Sequence, residues 1–295
     1  MDSETSFGLG GNKARKLEFE LAPSRLIGKT CIITCGGVQS NHARLTAAAA
    51  ARLGLRCILV LNSDSPAPLT GNSYLHKIFG AEIRLVKNRE DRKPEMARAA
   101  EEVQANGGEA LVIPLGASTP LGTLGYVRAA AEIVSQWKVL PVTERTWIFV
   151  SASSCGTYAG LALGFALLEC TDVRLVGVSP DINTEEIIHL TKNLYNSAAK
   201  ILGKPISLPS NLLLTTADYI GPGYGIPTEA SNEATLLLAR TEGILLDPVY
   251  TAKTTAAMLD WARAKKVPVG DRLVLWHTGG YPTALTSSLD FSIDP

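Results

Sequence analysis

Short runs in which nearly every residue is apolar recur along this chain, each followed by a stretch of helical character. They are Cys31-Ile-Ile-Thr-Cys35, Cys57-Ile-Leu-Val-Leu61, Glu82-Ile-Arg-Leu-Val86, Ala110-Leu-Val-Ile113, Trp147-Ile-Phe-Val150, Arg174-Leu-Val-Gly-Val178 and Arg272-Leu-Val-Leu-Trp276. Helices are predicted between them, from about 41 to 53, 72 to 79, 94 to 106, 121 to 137, 156 to 168 and 184 to 202. A strand that is apolar on both of its faces is buried on both, which is how parallel sheets covered by helices read. The chain is therefore expected to be an α/β protein.

At 295 residues it can hold one large or two modest domains, each with a real core. Twenty-eight basic and 28 acidic residues cancel, so no charge field selects nucleic acid or an anionic membrane as partner. No apolar run approaches the roughly 20 residues of a membrane span, and the N-terminus lacks the order of a secretion signal. Five cysteines, an odd number, are expected to be reduced thiols in the cytoplasm. Cys31 and Cys35 have the spacing of a zinc half-site but belong to an apolar strand, and His42, His76, His189 and His277 are scattered, so no metal is expected. The segment from Gln136 to Arg145 reads as either a domain boundary or a loop.

In open α/β sheets ligands bind beyond the carboxyl ends of the strands. Three loops there are rich in small or polar residues. Gly36-Gly-Val-Gln-Ser-Asn-His42 opens a helix that Ser40 or Asn41 can cap. Ser151-Ala-Ser-Ser-Cys-Gly-Thr157 combines unobstructed amides, hydroxyls and a helix N-terminus, which suits a phosphate. It has neither the Walker ending nor the dinucleotide fingerprint Gly-x-Gly-x-x-Gly, which disfavours a dehydrogenase and points to a monophosphate cofactor. His277-Thr-Gly-Gly280 leaves room for a flat ring, with the Thr278 hydroxyl available to a ring atom. Ahead of all three, Gly10-Gly-Asn-Lys13 places an amine able to condense with an aldehyde behind a glycine pair. Nearby Lys16 is read as a surface or structural charge. Lysine, phosphate cup and ring space converge on pyridoxal 5'-phosphate.

On these motifs, together with Pro120-Leu-Gly-Thr-Leu-Gly-Tyr126, Gly221-Pro-Gly-Tyr-Gly225, Arg240-Thr-Glu-Gly243, Asp247-Pro-Val-Tyr250 and the continuation Ala14-Arg-Lys-Leu-Glu18, the chain resembles the fold type II family of D-cysteine desulfhydrase and 1-aminocyclopropane-1-carboxylate (ACC) deaminase. The resemblance implies two open, mostly parallel twisted sheets covered by helices, as in tryptophan synthase β. It implies a large domain of residues 1–17 and 121–295, a small one of 18–120, the cofactor between them, and a cytoplasmic homodimer. It also implies that Lys13 forms the internal aldimine and shuttles the Cα proton, with Asn41 beside the cofactor's 3'-hydroxyl and Ser40 near the substrate. Ser153, Ser154, Cys155, Gly156 and Thr157 fall on the phosphate loop, and Tyr224 and Tyr250 match two tyrosines facing the substrate.

Within the family, ACC deaminases carry glutamate after the second tyrosine and leucine after the histidine of the last strand, whereas this chain has Thr251 and Thr278. A threonine hydroxyl can donate to an unprotonated ring nitrogen, so both residues are placed at the cofactor ring. The pattern favours β-elimination from a small amino acid, D-cysteine, to pyruvate, hydrogen sulfide and ammonia. ACC deamination and L-cysteate sulfo-lysis are the alternatives, and a non-catalytic cofactor-binding relative is the alternative of another class. Two departures accompany the match. Only Met1 to Leu9 precede the lysine motif, where family members carry a few tens of residues with a Lys-Arg-Asp-Asp patch, so sheet edge or subunit surface is expected to be open. Cys155 stands where glycine is common.

Overall fold

The computed structural model describes residues 2, 5–63, 69–141 and 143–286. In chain order the elements are α1 (Lys13–Glu20), α2 (Pro23–Leu26), β1 (Cys31–Gly37), α3 (Asn41–Arg52), β2 (Arg56–Asn62), α4 (Gly71–Ile78), β3 (Glu82–Val86), α5 (Arg92–Ala105), β4 (Ala110–Val112) and α6 (Pro120–Trp137). There follow β5 (Thr146–Ser151), α7 (Gly156–Leu167), β6 (Val173–Val178), α8 (Thr184–Ile201), β7 (Leu213–Thr216), α9 (Glu229–Glu242), α10 (Thr251–Arg263), β8 (Arg272–Leu275) and α11 (Tyr281–Ala284).

The strands form two four-stranded sheets with orders β3-β2-β1-β4 and β7-β6-β5-β8, parallel at every pairing. The two orders are the same: the first strand is central, the next two extend to one side and the fourth pairs on the other. The strand order of each sheet therefore reverses beside its first strand, and there a crevice opens at the carboxyl ends.

Alternate residues of each strand feed opposite cores. In the first sheet Ile32, Leu59 and Leu61 pack with Ala43 and Leu45 of α3, while Ile33, Ile58 and Val60 pack with Met96 and Val103 of α5. In the second, Ile148, Val150 and Leu175 meet α6, α7 and α8, and Phe149, Val176 and Val178 meet Ala257 of α10. Burying each such side chain contributes about 1.5–3 kcal/mol, which is why the strands read as continuous apolar runs.

Helix α1 joins the two layers, with Leu17 in the core of the first sheet and Phe19 against that of the second. It lies so close to α6 that a Cβ on Gly125 would stand 2.1 Å from the Arg15 carbonyl oxygen, so only glycine fits. Ser40 is the cap of α3, its Oγ accepting from Ala43 N at 3.1 Å. Residues 138–141 and 143–145, between α6 and β5, belong to no helix or strand. Between residues 203 and 271 the sequence reading named no element, yet β7, α9 and α10 lie there.

Candidate active site

The carboxyl ends of both sheets face one cavity of about 420 Å³. Gly37, Ser40, Asn41 and His42 come to it from β1, Leu115 and Gly116 from β4, Ser151, Ser153, Ser154, Cys155 and Thr157 from β5, and Thr278 from β8. Asn62 comes from the end of β2, Arg89 and Arg92 from beyond β3, Asp181 from beyond β6 and Tyr224 from beyond β7, while Asn12, Lys13 and Tyr250 come from the starts of α1 and α10. Ten of the twelve residues expected at the site thus line one space. Gly156 and Thr251 do not.

Lys13 opens α1 and donates from Nζ to Asn12 Oδ1 at 2.9 Å. The Asn12 amide nitrogen donates in turn to Thr157 Oγ1 at 3.0 Å, which ties the lysine to the phosphate-type loop. The Lys13 side chain is half-buried, enclosed by protein yet open to the cavity. Burial lowers its pKa to about 8 in spite of the pull of Asp2 and Asp247. An ordinary lysine is almost fully protonated at neutral pH; this one holds a usable fraction of free amine.

Lys16 is not a surface charge. It lies one turn on from Lys13, is 1% exposed, and donates to the Gly116 carbonyl and to Ser118 Oγ at 3.3 and 2.9 Å. Among the described residues it has no acidic partner, and burial, reinforced by Lys13, pushes its pKa well down. Ser118 donates to Ser154 Oγ at 2.8 Å, so this lysine stands directly behind the loop. A Cβ on Gly156 would lie 2.8 Å from Lys16 Nζ and 2.7 Å from Ser118 Oγ, so this glycine shapes the cup from behind without lining the cavity.

The cup is the N-terminus of α7. Among the described residues the amides of Ser154, Cys155 and Thr157 have no acceptor, and together with the helix dipole they form an anion berth. Cys155 has φ +58°, a left-handed conformation that favours glycine, so its backbone is strained where glycine would relax. Its thiol donates to the Ser153 carbonyl at 3.2 Å and burial raises its pKa to about 11.

On the opposite wall Asn72, which the sequence reading missed, fixes the Asn41 amide. Its Nδ2 donates to Asn41 Oδ1 at 2.9 Å and to the Gln39 carbonyl at 2.8 Å, which turns the Asn41 NH₂ away from these acceptors. His42 also lines the cavity. Its Nε2 meets Thr34 Oγ1 at 2.7 Å, and because Thr34 donates to the Ile113 carbonyl, that nitrogen carries the proton. Burial and the two lysines hold the imidazole neutral, with Nδ1 unpaired among the described residues. The Tyr224 and Tyr250 hydroxyls share a hydrogen bond.

The two threonines part company. Thr278 lines the cavity, its carbonyl accepting from Asn12 N at 2.9 Å and its hydroxyl without a partner among the described residues. Thr251 is buried under α10, donating from Oγ1 to Asp247 Oδ1 at 2.8 Å. That carboxylate also accepts from the amides of Val249, Tyr250 and Thr251, so the pair caps α10.

A lysine of lowered pKa for an aldehyde, an anion berth backed by a buried cation, and a fixed amide with a hydroxyl on the walls together fit one cofactor. Residues 3–279 match the family described as pyridoxal-phosphate dependent enzyme. The chain belongs to this family. Pyridoxal phosphate fits the cavity on these grounds, with Lys13 for its aldehyde and the cup and Lys16 for its phosphate. Among pyridoxal-phosphate-dependent enzymes, the chain is similar to D-cysteine desulfhydrase of Salmonella typhi, with 36% identity covering 95% of this chain and 85% of that protein. The crystal structure of an ACC deaminase homologue superposes with a TM-score of 0.84 at 37% identity, covering 96% of this chain and 83% of the other. The threonine deaminase of T.th. (TM-score 0.63, 21% identity, 92% and 83% covered) shares the fold.

Proposed function

We propose that the protein eliminates the β-substituent of D-cysteine, giving pyruvate, hydrogen sulfide and ammonia. The observation that carries the reading is the Lys13 amine, with its pKa lowered to about 8, in the same cavity as the paired Tyr224 and Tyr250 hydroxyls. The likeness to D-cysteine desulfhydrase supports the choice of substrate.

When bound, pyridoxal phosphate supplies the sink for the negative charge left at the substrate's Cα. Lys13 takes the Cα proton, for which a base titrating near neutrality is suited. Ser40 and the first amides of α3 hold the α-carboxylate, since Asn41 N and His42 N have no acceptor among the described residues. Asn41 and Thr278 orient the ring from its two sides, and the cup with Lys16 holds the phosphate. The tyrosine pair faces the substrate. As the Cβ–S bond breaks its electron pair leaves with sulfur, and the aminoacrylate released hydrolyses to pyruvate and ammonia.

The proposed layout has a large domain of residues 1–17 and 121–295 and a small one of 18–120, each holding one sheet. A cytoplasmic homodimer is part of the same proposal. Among the described residues no helix is long and apolar enough to cross a membrane.

The deciding experiment assays sulfide, pyruvate and ammonia from D-cysteine, L-cysteine, L-cysteate, β-chloro-D-alanine and ACC. Sulfide and pyruvate from D-cysteine are expected. 2-Oxobutanoate from ACC without sulfide from D-cysteine would replace the reading with ACC deamination, which the resemblance to the ACC deaminase homologue makes the second reading. Sedimentation velocity tests the dimer.

A further inference from the structure

Arg92, the first residue of α5, lies in the cavity wall with 9% of its surface exposed. Its Nε is closed off without a hydrogen-bond partner, and among the described residues its guanidinium forms no ion pair. Among the described residues none of the acids around it pairs with it. Glu95, one turn on, accepts from Arg84 and Arg98, and Asp91 accepts from Asn88. Asp181, in the same cavity wall, has its Oδ2 3.7 Å from Nη1 of Arg89, whose guanidinium also covers the Tyr224 ring at 5.0 Å, and its buried Oδ1 has no hydrogen-bond partner among the described residues. The Cys35 thiol beside Arg92 is kept protonated by burial, so it offers no counter-charge.

A buried guanidinium without a counter-charge is unfavourable until an anion reaches it. Two anions already have berths. The cup of α7 with Lys16 suits the phosphate, and the N-terminus of α3 suits the α-carboxylate. Arg92 is a third positive element, left for a third negative group.

We propose that Arg92 forms the subsite for the substrate's β-substituent, and that this substituent is one that is, or becomes, anionic: a thiolate or a sulfonate. The inference rests on the proposed elimination. In that step the Cα proton passes to Lys13 and the Cβ–S electron pair leaves with sulfur, as hydrosulfide from cysteine or as sulfite from cysteate. Negative charge thus grows beside the guanidinium, whose planar fork also matches two sulfonate oxygens.

Two measurements test it. In the first, kcat and KM are compared for the wild type, R92K and R92Q on D-cysteine, L-cysteate and β-chloro-D-alanine, whose weakly basic leaving group needs little help. R92Q is expected to lose at least about tenfold in kcat/KM on the sulfur substrates, the size of one charge-assisted hydrogen bond, and less than about threefold on β-chloro-D-alanine. R92K should recover part of the loss. An equal loss on all three, or no loss, overturns the proposal. The second measurement needs no turnover. With Lys13→Ala loaded with pyridoxal phosphate, calorimetry should show cysteate binding at least about tenfold tighter than alanine of the same configuration, a preference that R92Q erases. If alanine binds as well as cysteate, Arg92 has no such subsite. A wild type that makes no pyruvate from any substrate would remove the proposed reaction, and the binding comparison would still decide the subsite. D-Cysteine losing more than cysteate marks thiolate as the group served, and the reverse marks sulfonate.

Discussion

Lys13 Nζ donates to Asn12 Oδ1, the residue immediately before it, at 2.9 Å, and Asn12 carries that contact on to Thr157. The amine is thereby held at the cavity face of α1 while burial lowers its pKa to about 8. Only the neutral amine attacks an aldehyde. Capture of pyridoxal phosphate by the apoprotein should therefore accelerate about tenfold per pH unit below 8 and level off above it, whereas an unperturbed lysine would keep gaining until about 10.4. The stability sign agrees. The unfolded chain binds more protons between about 8 and 10.5, so this group raises stability as pH climbs through that window. Stopped-flow absorbance across pH 6–10 reads the capture rate, and borohydride reduction with peptide mapping should place the pyridoxyl group on Lys13. A rate still rising at pH 9.5, or an adduct on Lys16, would reject the assignment.

Among the described residues Lys16 has no anionic partner. Replacing it with methionine should weaken pyridoxal phosphate binding about 10–100-fold, the loss of a charge-assisted contact, while leaving the apoprotein as stable as before or more so. Equilibrium dialysis and urea unfolding of the apoprotein measure the two effects. An apoprotein weakened as much as cofactor binding would make Lys16 a structural residue.

The parallel sheets were legible because Ile32–Ile33 and Ile58–Leu61 are apolar on both faces, and the cup because small residues follow β5. Of the two readings of Lys16, surface or structural charge, the first fails: a basic residue on a short polar helix looks solvated, although this one is buried and its spacing from Lys13 places both amines on one face. Thr251 was placed at the cofactor ring because its number follows Tyr250; the chain turns into α10 there, and the hydroxyl goes to Asp247. The elements β7, α9 and α10 were missed since Leu213–Thr216 is short and Thr251–Thr255 is rich in β-branched residues, so helix formation there leans on the Asp247 cap. Asn72 and Asp2 act through contacts distant in sequence, which no local pattern announces.

Asp2 is such a case. Its buried carboxylate accepts from Arg15 Nε at 2.8 Å, from Trp276 Nε1 at 2.9 Å and from the Tyr126 hydroxyl, joining α1, α6 and the end of β8 beneath the lysine loop. Asp2→Ala strands these donors and should cost about 3–5 kcal/mol, the range for breaking a buried pair. Asp2→Asn keeps an acceptor oxygen and should cost less. Urea midpoints at constant m-value test this, and a loss under about 1 kcal/mol for the alanine variant would show that the three donors find other acceptors.

Tyr224 and Tyr250 meet edge to face, with ring centroids 5.9 Å apart and their hydroxyls sharing one hydrogen bond. Burial raises both phenols above the ordinary tyrosine range, and for Tyr250 its neighbour's hydroxyl adds to the rise. Both are thus protonated at physiological pH and serve as a hydrogen-bonded unit of donors, not as bases. Each phenylalanine substitution should lower kcat about 10²–10³-fold, within the span of a positioned acid–base group, with cofactor binding unchanged. Because one hydroxyl orients the other, the double variant should lose little more than the worse single one. Pyruvate release and cofactor absorbance are read on all four proteins. Losses that multiply in the double variant would mean that the two hydroxyls act on different parts of the substrate, and a cofactor lost from either single variant would move that tyrosine from chemistry to cofactor retention.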